Sequence, residues 1–232
     1  MGLDDLRSVG ILGGSFNPPH LGHRALAQRA REQLSLERVL LMPAHVSPYK
    51  SDAEDPGPEH RLGMCRLLIG DAPGLSVCAL EIDRGGTSYT VDTLEALHAS
   101  HLDAELTLIM GADTASTLPA WHEPMKLLEL AGLSVAARAG STRQDVLDRV
   151  SSLGASGSGG AGRQPIAPDR ARGGRAGGPG SVRFLDMPVI EASSSMAREH
   201  AARGLPIDGL VGSAVARYIA EHRLYRGSEE AG

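Results

Sequence analysis

Eleven consecutive residues near the N-terminus, Gly13–His23, combine residue types that suit a phosphate ligand. Gly13 and Gly14 permit a ligand to approach the backbone closely. Two prolines then stiffen the loop and delay the following helix. His20 lies just before that predicted helix and His23 in its first turn, so two imidazoles and the positive end of the helix dipole face the same space. This arrangement supplies hydrogen-bond donors on several sides and predicts a polyphosphate ligand.

A metal ion is the alternative ligand for the His-x-x-His pair of His20 and His23. The sequence offers no evident third ligand, and a metal site leaves the two glycines unexplained. Either histidine alone would be read as an ordinary surface residue. Because eleven residues share the phosphate-binding character, we rank phosphate above both alternatives and predict no protein-bound metal.

Apolar runs alternate along the chain with segments of helical periodicity, which predicts strands of a parallel sheet covered by helices on both faces. The expected fold is a Rossmann-like, doubly wound α/β sheet with C-terminal helices. The predicted strands are Val9–Leu12, Arg38–Pro43, Ser76–Ile82, Glu105–Gly111, Leu133–Arg138 and Val182–Met187. The predicted helices are Gly22–Leu34, Arg61–Ile69, Val91–Ser100, Trp121–Leu130, Ser193–Arg203 and Val211–Glu221.

Ligands of such sheets bind at the carboxyl ends of the strands. The segments expected to converge on one crevice are therefore Gly13–His23, Pro43–Lys50, Gly111–Asp113 and Ala192–Arg198. Lys50 stands out among them because lysine occurs at only one other position, Lys126.

Residues 1–232 are expected to form a single domain that carries a flexible insertion at 154–181. The insertion is rich in Gly, Ala, Ser, Pro and Arg, and it has too few large apolar residues to offset its ordering entropy. Its glycines at 157, 159 and 162 match the GxGxxG sequence of the dinucleotide-binding fingerprint but not its structural context. No strand precedes them and no amphipathic helix follows, so we dismiss that motif.

The composition excludes several classes of protein. A formal charge of −5 argues against a general binder of nucleic acid or membrane surfaces. Cys65 and Cys78 are too few for a disulfide framework and are expected to be ordinary buried or half-buried thiols. The N-terminus does not resemble a signal peptide, and no apolar run approaches the ~18 residues of a membrane span. These features predict a cytoplasmic protein, and they leave homo-oligomer formation open.

The first segment, GGSFNPPHLGH, resembles the GG-[ST]-F-[DN]-P-x-H-x-G-H signature of the adenylyltransferase and cytidylyltransferase superfamily. Ala192–Arg198, ASSSMAR, is similar to that superfamily's second signature near the C-terminus. Three more segments resemble bacterial nicotinate-nucleotide adenylyltransferases: PAHVSPYK at Pro43–Lys50, TSYTVDTL at Thr87–Leu94 and GADTASTLPAW at Gly111–Trp121. The resemblance runs from about Val9 to Tyr225 apart from the insertion.

The resemblance implies a reaction in which ATP and nicotinic acid mononucleotide give deamido-NAD and pyrophosphate, with Mg²⁺ as cofactor. It implies small-molecule partners rather than nucleic acid or membrane. Other acceptors remain open, namely nicotinamide mononucleotide and phosphopantetheine, although the phosphopantetheine enzymes are shorter and lack the segments around Tyr89 and Trp121. A nucleotide-binding sensor without turnover is the alternative from a different class.

The resemblance also implies which residues act on ATP. His20, His23, Lys50 and Arg198 would be catalytic, with His23 neutralising charge at the α-phosphate and Arg198 gripping the β- and γ-phosphates. The full set expected to bind ATP is Gly13, Gly14, Ser15, Phe16, His20, His23, Gly111, Asp113, Ser193, Ser194 and Arg198. Capping of the following helix is the alternative role for the two serines.

On the acceptor side, the resemblance implies that Trp121 stacks on the pyridine ring and that Tyr89 and Thr90 line the mononucleotide pocket. Asn17 and Lys50 complete the set expected to bind the mononucleotide. A core or surface position is the alternative for Trp121. Ser15 and Asn17 stand where Thr and Asp are common in the family, and both keep the hydrogen-bonding character.

Overall fold

The computed structural model describes residues 6–49, 54–100, 104–136, 143–155, 167–168, 178–188 and 190–226. The chain divides into two compact units. Unit 1 comprises Met1–Gly13, Leu26–Leu40 and Tyr89–Val189. Unit 2 comprises Gly14–Ala25, Leu41–Ser88 and Ile190–Gly232.

The described strands belong to one seven-stranded sheet. They are β1 (Ser8–Gly14), β2 (Arg38–Pro43), β3 (Leu75–Val77), β4 (Glu105–Gly111), β5 (Gly132–Ala136), β6 (Ala167–Pro168) and β7 (Ser181–Leu185). Their order is β3-β2-β1-β4-β5-β7-β6, which reverses direction between β1 and β4 as a doubly wound sheet does. The predicted fold class is confirmed.

Parallel pairing explains why the central strands are apolar along their whole length. β4 pairs in parallel with β1 and with β5, placing Ser8 opposite Glu105 and Thr107 opposite Gly132. Every residue of β5 is buried, and so are the five residues at the centre of β4. Strands that are covered on both faces read as continuous Leu, Ile and Val runs rather than as alternating patterns.

Helices connect and cover the strands. The described helices are α1 (Leu21–Gln33), α2 (Pro58–Ile69), α3 (Leu80–Arg84), α4 (Thr90–Ser100), α5 (Ala112–Thr117), α6 (Pro124–Leu130), α7 (Arg143–Ala155), α8 (Ser194–Ala202), α9 (Asp208–Val211) and α10 (Ser213–Glu221), with a 3₁₀ turn at Leu118–Ala120. α1 and α2 match the predicted helices to within a few residues.

The predicted strand Ser76–Ile82 is half wrong. Pairing ends at Val77, and α3 begins three residues later. Its apolar residues Leu80 and Ile82 fit a strand and a short helix equally well, since periodicity over so few residues does not separate the two. The turn at Gly85, where φ is 72°, then ends the helix.

Two predicted helices have the wrong bounds. The segment expected at Trp121–Leu130 becomes helical only at Pro124, because proline disfavours a right-handed helical residue before it and Glu123 is left-handed, with φ of 46°. The segment expected at Val211–Glu221 is two helices. Gly212, with φ of 83°, separates α9 from α10.

Both cysteines are free, with Cys65 buried and Cys78 partly buried, as predicted. Burial raises the pKa of each thiol. In the described ranges no helix is long and apolar enough to cross a membrane. Of the predicted insertion at 154–181, residues 156–166 and 169–177 lie outside the described residues, so the insertion remains a prediction.

Candidate active site

The loop between β1 and α1 lies in unit 2, with His20 at its end and His23 in the first turn of α1. Residues 15–23 are termed the histidine loop. The His20 ring is buried, and its centroid lies 3.6 Å from that of His23. The backbone N–H of His20 donates a hydrogen bond to Nδ1 of His23, at 3.1 Å. Because Nδ1 accepts, the ring proton of His23 is on Nε2. His23 therefore presents a defined N–H donor at the start of a helix.

Gly22 separates the two histidines because a side chain does not fit there. A Cβ atom at position 22 would lie 2.9 Å from Nδ1 and 3.0 Å from Cε1 of the His20 ring. Real Cβ contacts are rarely that short, so the ring would have to move. The glycine allows the imidazole of His20 to fold over the first turn of α1. The sequence reasoning assigned Gly22 no role.

Phe16 packs against the loop. Its ring is buried and makes an edge contact with His23, with centroids 4.8 Å apart. Its φ of 50° is left-handed, which costs a non-glycine residue roughly 1–2 kcal/mol. Burial of a phenylalanine side chain contributes a similar or larger amount, so the packing offsets the strain. Phe16, which was predicted to bind ATP, therefore contacts His23, another residue predicted to bind ATP.

The amide of Asn17 is occupied within the protein. Nδ2 donates to the carbonyl of Glu54, at 2.9 Å, and Oδ1 accepts from the phenol of Tyr225, at 2.6 Å. Burial raises the pKa of Tyr225, so the phenol keeps the proton that it donates. These bonds fix the Asn17 side chain within the protein, and its predicted contact with the mononucleotide stays a prediction. Tyr225 was not predicted.

The second signature segment is tied to the same loop. Ser193 caps α8, since its Oγ accepts from the backbone N–H of Met196 at 3.1 Å. Ser194 Oγ donates to the carbonyl of Pro18, at 2.9 Å. The guanidinium of Arg198 donates to the carbonyl of Asn17 and to Ser195 Oγ. Arg198 and Ser194 thus bond directly to the histidine loop, so these two segments meet as expected, whereas Ser193 caps α8.

The segment after β2 also reaches this loop. The backbone N–H of Ala44 donates to the carbonyl of Gly14 at 2.9 Å. His45 donates from its backbone N–H to Ser88 Oγ, and Val46 forms a β-bridge with Thr87. Lys50, at the end of this segment, lies outside the described residues, and its predicted role is untested.

Unit 2 therefore brings together three of the four segments that were expected to converge. They are the β1–α1 loop, the start of the segment after β2 and the start of α8. The fourth segment, Gly111–Asp113, belongs to unit 1.

Unit 1 carries three of the residues predicted for the acceptor, namely Tyr89, Thr90 and Trp121. The Trp121 ring is partly exposed, and its Nε1–H donates to Thr117 Oγ1 at 3.1 Å. Tyr89 stacks at a tilt against His122, with centroids 4.6 Å apart. Thr90 begins α4 directly after Tyr89.

Two further predicted residues lie at the end of β4, also in unit 1. Gly111 is the N-cap of α5, and a Cβ atom there would meet nothing within 4 Å. Asp113 is exposed in the first turn of that helix. Their predicted contact with ATP is not tested by these positions.

The chain was compared with known proteins. Residues 11–200 match the Cytidylyltransferase-like family. A protein of Roseiflexus sp. (strain RS-1) named "Probable nicotinate-nucleotide adenylyltransferase" is 38% identical over 218 residues, which cover 94% of this chain and 98% of that protein. A protein of the same name from Thermomicrobium roseum is 36% identical over 220 residues, covering 94% and 91%.

Solved structures show the same fold. Plasmodium falciparum nicotinic acid mononucleotide adenylyltransferase, complexed with NaAD, superposes with a TM-score of 0.69 at 16% identity, covering 94% of this chain and 97% of that one. The same enzyme complexed with APC gives the same TM-score.

The chain belongs to the Cytidylyltransferase-like family of nucleotidyltransferases. Within that family it belongs to the nicotinate-nucleotide adenylyltransferases, with relatives 30–38% identical over nearly the whole chain. The resemblance drawn from the five sequence segments is confirmed.

Proposed function

We propose that the protein transfers the adenylyl group of ATP to nicotinic acid mononucleotide, giving deamido-NAD and pyrophosphate in NAD biosynthesis. The observation that carries this function is the pair His20 and His23 at the N-terminus of α1, with Arg198 tied to the same loop. Relatives that bear the name of this activity align over 94% of the chain. Such a reaction consumes ATP, which fits a cytoplasmic location.

The chemistry joins two anions. An oxygen of the mononucleotide phosphate forms a bond to the α-phosphorus of ATP, and the bond from that phosphorus to the pyrophosphate oxygen breaks. The attacking phosphate is already ionised, so the step needs no general base. Catalysis therefore rests on positioning the two substrates and on stabilising the charge of the transferring group.

The histidine loop supplies that stabilisation. The Nε2–H of His23 would donate to the α-phosphate, and His20 would hold the adjoining phosphate oxygens. The exposed N–H groups at the start of α1 add donors on the same side. Gly13, Gly14 and Ser15 would line the approach of the triphosphate, since a Cβ atom at Gly13 would stand in open space.

Arg198 would hold the β- and γ-phosphates. Its hydrogen bonds to the Asn17 carbonyl and to Ser195 Oγ use two of the five donors of a guanidinium. The bond to the loop fixes the direction of the planar group, and the other donors suit phosphate oxygens. Ser193 caps α8 and Ser194 ties that helix to the loop, which keeps Arg198 in place. Lys50 would contact phosphate from the segment after β2.

Mg²⁺ would enter as part of the substrate, on the triphosphate of ATP. Magnesium usually keeps several waters and is held by substrate phosphates with one or two carboxylates. Among the residues that the structure describes, no group of three or more His, Cys, Asp or Glu could hold a metal ion.

For the acceptor, Trp121 would stack on the pyridine ring, with Tyr89 and Thr90 lining the mononucleotide pocket. The bond from Trp121 to Thr117 orients the indole by its edge. Gly111 and Asp113, at the end of β4, would contact ATP. The engaged amide of Asn17 favours a supporting role for that residue over direct contact with the ligand.

The test is pyrophosphate release from ATP and Mg²⁺ with each acceptor in turn. Nicotinic acid mononucleotide should give a kcat/KM at least tenfold above those of nicotinamide mononucleotide and phosphopantetheine. Equal or reversed preference would refute the acceptor. Tight ATP binding without pyrophosphate release for any acceptor would indicate a sensor instead.

A further inference from the structure

Arg61 is a fully buried arginine that no part of the proposed chemistry uses. It lies on α2, in unit 2, and only 1% of its surface is exposed. A buried guanidinium is costly unless its charge is paired and its donors are satisfied. The contacts that satisfy it therefore indicate what the position requires.

The guanidinium joins two loops of the site. Nη1 donates to the carbonyl of Ser15, at 2.9 Å, and to the carbonyl of Ala44, at 2.6 Å. Nη2 donates to the carbonyl of His45, at 2.7 Å. Ser15 belongs to the histidine loop, and the other two begin the segment that leads to Lys50.

The fourth guanidinium donor forms an ion pair with a carboxylate. Nε donates to Asp55 Oδ1 at 2.9 Å, and the same oxygen accepts from the backbone N–H of Gly57, the N-cap of α2. This second bond ties the carboxylate to the start of the helix that bears the arginine. Four of the five guanidinium donors are thus used in a fixed, planar arrangement.

The contact also extends to a third segment through His45. Its backbone N–H donates to Ser88 Oγ, and its Nδ1 lies 3.1 Å from the carbonyl of Gly86. A shift of the His45 carbonyl would therefore move the Thr87–Ser88 segment as well. Arg61 is therefore hydrogen-bonded, directly or through His45, to each segment of unit 2 that the sequence signatures identified before α8.

We infer that Arg61 is a positioning residue, which holds the histidine loop in register with the segment that leads to Lys50. It touches no substrate. This inference rests on the proposed function, and it deepens that function by naming what aligns the donors around the triphosphate. A displacement of about 1 Å in such a site costs roughly 100-fold in rate.

Arg61→Lys is the decisive variant because it keeps the charge and removes the planar fork. One ammonium cannot reach the carbonyls of two loops and Asp55 together. The expected result is a fall of kcat/KM for ATP of about 100-fold per folded molecule, shared between a weaker Kd for Mg-ATP and a lower kcat. Calorimetry should show that Kd rising about tenfold.

Met64→Ala is the matched control. Met64 is buried on the same helix, so its truncation loosens α2 without touching the loop carbonyls. It should lower the Tm while leaving kcat and the Kd for Mg-ATP within about threefold of the unmodified protein. If Arg61→Lys matches Met64→Ala in both quantities per folded molecule, the role of Arg61 is structural only and the inference is overturned.

Asp55→Asn gives a second route if Arg61→Lys does not fold. It weakens the ion pair and leaves the three carbonyl bonds, so kcat/KM should fall about fivefold to tenfold, and values equal to those of Met64→Ala would overturn the inference. The Kd for Mg-ATP does not depend on the acceptor. A wrong acceptor would therefore appear in the turnover of the unmodified protein and leave the Kd comparison between variants intact.

Discussion

The residues proposed for ATP and those proposed for the acceptor differ in how they are held. In unit 2, His20, Phe16 and Asn17 are buried, and the loop that bears them is fixed by hydrogen bonds from Arg198 and Ser194. In unit 1, the side chains of Trp121, Tyr89 and Thr90, which are proposed for the acceptor, are partly exposed.

The difference follows from what each region has to bind. Charge on a transferring phosphoryl group is stabilised by donors that are already in place and need no reorganisation. Such donors are built from backbone groups and from side chains that are themselves hydrogen-bonded. Stacking on an aromatic ring needs only an available face. Substitutions in the first region should therefore change kcat, whereas substitutions in the second should change the KM of the acceptor.

The largest effect is expected for His23→Ala, which removes the Nε2–H donor. kcat should fall roughly 100-fold to 1,000-fold, as for the loss of one preorganised donor to a developing charge. Steady-state kinetics would measure it, with circular dichroism to show an intact fold. His200→Ala, on α8 in the same unit, is the control and should keep its activity. Near-normal turnover of His23→Ala would remove His23 from the mechanism.

Gly22→Ala tests the close approach of the His20 ring. The added methyl would displace the ring, and kcat/KM should fall about 100-fold. Alanine is favoured over glycine in a helix by about 1 kcal/mol, so the Tm should hold or rise. Gly209→Ala is the matched control, since position 209 is helical with nothing within 4 Å of an added Cβ. Equal activity of the two variants would show that Gly22 is not needed for clearance.

Trp121→Ala probes the acceptor region. Loss of a stacking face costs about 1–3 kcal/mol, so the KM for nicotinic acid mononucleotide should rise roughly tenfold while the KM for ATP stays constant. Trp121→Phe keeps a ring face and loses the bond to Thr117, so its KM should lie much closer to that of the unmodified protein. An unchanged KM in the alanine variant would show that the indole is structural.

The smallest effect is expected for Tyr225→Phe, which removes one hydrogen bond to Asn17 and should cost about 1 kcal/mol of stability at neutral pH. Burial raises the folded pKa of Tyr225 above the unfolded value of about 10. The stabilising contribution of the protonated phenol is therefore complete below pH ~10 and is lost as the pH rises through the folded pKa. Denaturant unfolding against pH should show a shallower alkaline decline in the variant. An identical decline would refute the role of this phenol.

The sheet was predicted from the sequence because the apolar runs of its buried strands indicate strands. Arg38–Pro43 and Glu105–Gly111 were predicted with the bounds that the structure shows. The errors fall where local chemistry overrides periodicity, at the short helix Leu80–Arg84, at the helix start before Pro124 and at the break in the C-terminal helices at Gly212. The helices Leu80–Arg84 and Asp208–Val211 have only five and four residues, which is too short to show a helical period.

The candidate site was predicted where residues adjoin in sequence and missed where they are distant. The histidine loop and Ser193–Arg198 were found from local patterns. Arg61 and Tyr225 were missed because an arginine in a helix and a tyrosine near the C-terminus are ordinary in sequence. Their importance arises from carbonyl and amide partners 16 to 208 positions away. No spacing rule would have indicated those bonds.

The most direct test of the central claim is to follow the α-phosphate of ATP. The protein would be incubated with Mg²⁺, nicotinic acid mononucleotide and ATP labelled at its α-phosphate, and the products separated by chromatography. Adenylyl transfer predicts that the label appears in deamido-NAD, with an equal amount of unlabelled pyrophosphate. Label that stays in ATP, or that is released as AMP without dinucleotide, would contradict the account.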